Sequence, residues 1–117
     1  MAPGALRRLR NDLVAAYQSL VSKYDVLLSP TLANPTPRLK YFSPELGVIS
    51  LVTRLNNNVT FTTIQNATGA PAISLPMGIC SNDMPIGVQF AAALGEEKKL
   101  LELAFELEAA GAFVKPA

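Results

Sequence analysis

Two short apolar runs, Ala72 to Met77 and Ile86 to Ala92, are hemmed in by glycine and proline. Gly69 and Pro71 precede the first run, Gly78 and Pro85 lie between the two, and Gly95 follows the second. Neither run is long enough for an ordinary helix, and proline can neither donate a backbone hydrogen bond nor continue a helix. The pattern therefore predicts strands over 72–77 and 86–92. The loop between them, Gly78 to Pro85 with Asn82-Asp83 inside it, predicts a hairpin connection. Gly87 within the second strand predicts a bulge or a close backbone approach. Gly69 fits the left-handed C-cap of a preceding helix, which Pro71 forbids from continuing.

The rest of the chain must be built around that hairpin. Over 5–23, Leu6, Leu9, Leu13, Tyr17, Leu20 and Val21 recur at three- and four-residue steps, which predicts an amphipathic helix. Met1 to Gly4 read as a frayed start. Residues 24–29, Tyr-Asp-Val-Leu-Leu-Ser, read as a fully buried strand in a sheet covered on both faces, ended by Pro30. Residues 30–47 hold four prolines and Gly47 and predict an irregular loop that packs over a surface. Residues 48–65 are ambiguous. Asn56-Asn57-Asn58 reads as a turn or cap, and 59–66 is compatible with a helix weakened by β-branched residues. Residues 96–110 predict the clearest helix, with Leu100, Ala104 and Leu107 in one apolar row widened by Leu101 and Phe105. Lys98 and Glu102 form an i,i+4 pair on its wet face. The whole of 1–117 reads as a single domain of mixed α/β class, a partial mixed sheet of about three strands flanked by helices.

Half of the 117 residues are hydrophobic and 16% are charged, which is apolar for a chain whose small size leaves much surface wet. This composition fits either an ordinary compact domain or one whose apolar surface is meant for another chain or a missing domain. A net charge of +1 offers no field for nucleic acid or anionic lipid, and Arg7, Arg8 and Arg10 read as a solvated helix face. No run reaches the roughly 18 apolar residues of a membrane helix, and no secretion signal stands out. Asn58-Val59-Thr60 and Asn66-Ala67-Thr68 match the glycosylation pattern, but the missing secretion signal makes both chance matches. Cys80 is the single cysteine, which excludes an intramolecular disulfide and points to a reducing, cytoplasmic compartment.

The inventory of reactive groups is short. The chain has no histidine, hence neither the commonest general base nor the commonest metal ligand. No metal and no cofactor is expected, and the nucleotide-binding loops G-x-x-x-x-G-K and G-x-G-x-x-G are absent. Glu96, Glu97, Glu102, Glu106 and Glu108 alternate with leucines and read as a solvated helix face. Ser22 and Lys23 are neighbours on a helix, so their side chains diverge by about 100° and make no catalytic pair. Cys80 lacks a basic partner and reads as a passive thiol.

Four segments resemble one known family. Lys23-Tyr24-Asp25-Val26-Leu27-Leu28-Ser29-Pro30-Thr31 is similar to the "YDvLLsPT" segment of amidase-signature hydrolases. Asn66-Ala67-Thr68-Gly69-Ala70-Pro71-Ala72-Ile73-Ser74-Leu75-Pro76-Met77-Gly78 is similar to the family's "N-x-tG-x-Pa-is-x-P-x-G". Pro85-Ile86-Gly87-Val88-Gln89-Phe90 is similar to "PvGvQ", and Gly95 to Glu108 to the closing helix. The match covers residues 10–110 in the family's order and spacing.

The resemblance implies a large mixed sheet sandwiched by helices and hydrolysis of carboxamide C–N bonds by a Ser–Ser–Lys triad. That triad lies in an N-terminal Gly/Ser-rich core in the family, and no position here matches it. The chain is therefore expected to be the C-terminal portion of an amidase, without catalytic residues of its own and inactive alone. The resemblance makes Phe61, Thr62 and Asn66 candidates for the substrate pocket, and Thr68, Gly69 and Pro71 the structural turn beside them. The plainer alternative has Asn66 and Thr68 hydrogen-bonding the turn and Phe61 in the core. Members that transfer ammonia from glutamine tend to carry an acidic residue shortly before the matching Phe-Thr. Val59-Thr60 stand there instead, which favours a general amidase. Expected partners are a complementing N-terminal amidase segment or a second copy, with a small amide only once the fold is completed. The alternative function is a non-catalytic binding module that self-associates through its incomplete sheet.

Overall fold

The computed structural model describes residues 2–115. Helix α1 spans Pro3–Val21, with Pro3 at its first turn, where a missing N–H costs nothing. The predicted span 5–23 is thus corrected at both ends: Gly4 belongs to the helix, and Ser22 and Lys23 lie beyond it, Ser22 as its C-cap. Strand β1 (Leu27–Pro30) follows, then a long irregular connection with a 3-10 turn at Pro44–Leu46. Helix α2 (Val48–Asn58) and the short α3 (Thr63–Thr68) lead into β2 (Ala72–Ile79), β3 (Pro85–Ala91) and α4 (Glu97–Ala109).

The three strands form one antiparallel sheet in the order β1-β3-β2. In register, Leu27, Ala91 and Ala72 lie side by side, then Leu28, Phe90 and Ile73, then Ser29, Gln89 and Ser74. Side chains alternate between faces along a strand. One face carries Ile73, Leu75, Met77 and Phe90 against Leu100, Leu103, Ala104 and Leu107 of α4. The other packs Leu27 and Ala93 against Tyr17 and Val21 of α1 and Ala70 beyond α3. The sheet is therefore sandwiched between helices, as the mixed α/β class requires.

Several expectations are corrected. Strand β1 begins at Leu27, and Tyr24 lies outside it, 60% exposed. Nor is β1 fully buried: it is an edge strand, and Leu28 is 67% exposed because α4 centres over β2 and β3. Pro30 is the last residue of that strand rather than the one beyond it, which an edge position tolerates. The hairpin strands extend to Ile79 and start at Pro85, so the loop narrows to residues 80–84. Its ends are tied by Cys80 N–H donating to the Met84 carbonyl at 2.9 Å. The irregularity in pairing falls on β2, between Pro76 and Gly78, rather than at Gly87. In α4, Leu101 and Phe105 do not widen the buried row. They are 53% and 70% exposed, and Leu103 takes that role.

The ambiguous stretch resolves into two helices. Val48, Ile49, Val52 and Leu55 recur at helical spacing and Gly47, at φ +81°, turns the chain into α2. Asn56-Asn57-Asn58 forms the last turn of α2 rather than a cap between elements, and α3 begins only at Thr63. The Pro-rich connection does pack onto α2. Ala33 N–H donates to the Asn58 carbonyl at 3.0 Å, and Arg54 donates to the Tyr41 carbonyl at 2.8 Å. The Arg54 guanidinium also lies 4.5 Å from the Tyr41 ring centroid, a cation–π contact.

The molecule is a slab of 51 × 42 × 16 Å with a radius of gyration of 16.8 Å, against about 13 Å for a compact domain of this length. It exposes 8372 Å², whereas a self-contained protein of its mass exposes about 6,200 Å². The surplus is apolar in part: Val48, Ile49, Leu28 and Phe105 all stand largely in solvent.

Candidate functional site

Strands in this sheet are apolar except where Ser29, Gln89 and Ser74 stand directly opposite one another. Alternation puts all three on the face that α1 packs against, beyond that helix's reach, and makes a polar row across the sheet. Gln89 is 6% exposed. Its Nε2 donates to Ser29 Oγ at 3.3 Å and to the Phe61 carbonyl at 3.1 Å. Both N–H bonds are thereby used, which fixes the amide's orientation and ties β1, β3 and the segment before α3 together.

Ser74 and Thr31 complete the row. Their hydroxyls are 2.6 Å apart, across Gly87. A Cβ at Gly87 would lie 2.7 Å from Ser74 Oγ and 2.8 Å from Thr31 Oγ1. Only glycine lets the two hydroxyls meet, so the expected close approach is real and made by side chains. Thr31 is held in turn by its N–H, which donates to the Gly87 carbonyl at 3.1 Å.

Two clefts flank this row. One, of about 520 Å³, is lined by Thr62, Gln65, Asn66, Gly69, Ala72 and Gln89 among others. The second, of about 490 Å³, lies between the Thr31–Thr36 segment and the hairpin. It is mostly apolar, with Leu32, Pro35, Pro85 and Ile86 in its wall and the Thr31–Ser74 pair at one side.

Of the sequence candidates, Thr62 and Asn66 line the first cleft together. Phe61 does not line it. Its carbonyl serves Gln89, and at 39% exposure it lies outside both core clusters. Thr62 Oγ1 donates to the Val59 carbonyl at 3.1 Å. Thr68 is buried and works for the turn: its hydroxyl donates to the Ile64 carbonyl at 2.8 Å and accepts from Ala70 N–H at 3.3 Å. Gly69 sits at φ +76°, left-handed, with its N–H donating to the Gln65 carbonyl at 2.8 Å. Pro71 follows at the entry to β2, its carbonyl accepting from Ala92 N–H at 3.2 Å. The residues missed at the level of sequence are Ser29, Thr31, Ser74 and Gln89. For Ser29, Ser74 and Gln89 the signal was an isolated polar side chain within an otherwise apolar strand; Thr31, just beyond β1, carried no such signal.

The site offers hydroxyl and carboxamide groups and no charge. Among the described residues no group of three or more histidine, cysteine, aspartate or glutamate side chains could hold a metal. No described helix is long and apolar enough to cross a membrane.

The chain is similar to known proteins over most of its length. The Amidase family model matches residues 3–101. The chain is similar to a putative amidase, AmiC, of Mycobacterium leprae (strain TN), at 47% identity over 108 residues, covering 92% of this chain and 23% of that protein. It is also similar to a 6-aminohexanoate-cyclic-dimer hydrolase of Pseudomonas sp. (strain NK87), at 39% identity over 93 residues, covering 74% of this chain and 19% of that protein. A solved structure of 6-aminohexanoate cyclic dimer hydrolase with substrate superposes with a TM-score of 0.70 at 35% identity, covering 90% of this chain and 22% of that one. The chain thus spans less than a quarter of the length of these relatives. Sequence, fold and the glycine-punctuated hairpin agree: this chain belongs to the amidase family.

Proposed function

We propose that this chain forms the C-terminal part of a carboxamide-hydrolysing amidase and builds one wall of its substrate pocket. The observation that carries the reading is the uncharged polar row Ser29–Gln89–Ser74 between two clefts, in a chain of the amidase family. Carboxamides are neutral donors and acceptors, and such a wall matches them without burying a charge. On this reading the nucleophile and its base come from a complementing amidase segment, and the chain alone is inactive. General amide hydrolysis is favoured over transamidation because Val59-Thr60 stand where an acidic residue is expected.

The surface surplus supports such a partner. Exposed Leu28, Val48, Ile49 and Phe105 are suited to burial under a covering segment, or under a second copy of the chain. The experiment measures ammonia release from acetamide and benzamide by the purified chain, alone and mixed with the Gly/Ser-rich N-terminal segment of an amidase. The expected result is none alone and turnover in the mixture. Turnover by the chain alone, abolished in a serine-to-alanine scan, overturns the reading.

A further inference from the structure

We propose that the Thr31–Ser74 hydroxyl pair binds the oxygen of a neutral acceptor group, a carboxamide carbonyl, on a ligand whose short apolar body fills the 490 Å³ cleft beside it. The hydrogen count carries the argument. Two hydroxyls bring two O–H hydrogens, and the contact at 2.6 Å uses one of them, whichever oxygen donates. Among the described residues neither hydroxyl donates to any other acceptor, so one O–H is left for a ligand. The pair also polarises that remaining O–H, since a hydroxyl that accepts a hydrogen bond becomes a stronger donor.

Three further features define the ligand. Gly87 leaves the space over the pair open, because any side chain there would meet both oxygens below 3 Å. No charged residue is among those described as lining the cleft. A carboxylate entering it would lose its water without a countercharge, whereas a neutral amide loses far less. The walls at Leu32, Pro35, Pro85 and Ile86 are apolar, and the volume lies within the range of about 300–1,000 Å³ usual for small-molecule pockets. The site therefore fits an aryl or branched-alkyl carboxamide bound by its oxygen. The choice of carboxamide rests on the amidase reading above. The acceptor-oxygen chemistry rests on the hydroxyl geometry alone.

The test titrates the isotopically labelled chain with benzamide and, separately, with benzoate, following backbone amide signals. Benzamide should move the signals of Thr31, Ser74 and Gly87 and leave Thr62 and Gly69 in place. Thr31→Val combined with Ser74→Ala should weaken benzamide at least tenfold, with each single substitution intermediate. The two single variants serve if the double variant does not fold. Benzoate should bind more weakly than benzamide. Absence of binding, an affinity unchanged in the variants, shifts confined to the Thr62–Gly69 cleft, or tighter binding of benzoate would each overturn the proposal. If the complemented protein hydrolyses benzamide with KM unchanged by these substitutions, the inference falls and the amidase reading stands. If binding follows the expectation and the complemented protein is inactive, the site stands and the amidase reading falls.

Discussion

The Tyr17 hydroxyl donates to the Ala92 carbonyl at 2.9 Å, joining the N-terminal helix to the residue just beyond β3, 75 positions away. Tyr17 is 3% and Ala92 0% exposed, so water cannot replace the bond. Tyr17→Phe keeps the ring and strands the carbonyl. It should destabilise the chain by about 1–3 kcal/mol, read from the urea midpoint. An unchanged midpoint would show that the bond contributes nothing.

Burial raises the pKa of the same tyrosine above its ordinary 10.0, because the phenolate loses its water. The folded state therefore holds the proton more tightly than the unfolded one. Its contribution is complete below pH 10 and is lost as pH rises from there through the folded-state value. Stability of the native chain should fall with pH above about 10 more steeply than that of Tyr17→Phe. Parallel profiles for the two proteins would reject this coupling.

Among the described residues, Gln89 is the side chain that holds Phe61 to the sheet. Gln89→Leu removes both donors and leaves the Phe61 carbonyl and Ser29 Oγ without that partner. Amide hydrogen exchange across residues 61–68 should accelerate more than exchange in α4. Equal acceleration everywhere would indicate a loss of global stability and no local clamp.

Gly69 and Gly87 are needed for different reasons, and their substitutions should separate accordingly. No atom lies within 4 Å of a Cβ at Gly69, so only its positive φ opposes a side chain. Gly69→Val should cost at least about 1 kcal/mol and Gly69→Asn clearly less, because asparagine tolerates the left-handed region. Gly87 has no positive φ and fails on contact instead. Gly87→Ala should lower Tm, and Ser74→Ala, which removes one of the two clashing oxygens, should restore part of the loss. Additive losses in the double variant would refute the contact.

The hairpin and both terminal helices were legible because their signals are local: glycine and proline punctuation for β2 and β3, a 3.6-residue period for α1 and α4. Strand β1 was legible as a strand and misread as buried, since a run such as Val26-Leu27-Leu28 does not report whether a neighbour covers it. Helix α2 was obscured by β-branched residues and three asparagines whose propensities oppose a helix, and packing of the Pro-rich connection overrode them. Of the site, the Thr68-Gly69 turn was readable from residue type. The use of Phe61 through its carbonyl was not, because any residue supplies a carbonyl.

By itself the sequence determined the family, the order of the hairpin strands and the terminal helices, the left-handed turn at Gly69 and the absence of histidine chemistry, all properties of residue type and short spacing. Only the tertiary structure decided that Ser29, Gln89 and Ser74 share one row and that Thr31 meets Ser74 over Gly87. Those relationships depend on strand register, which pairs residues up to 64 positions apart, and no local propensity encodes it.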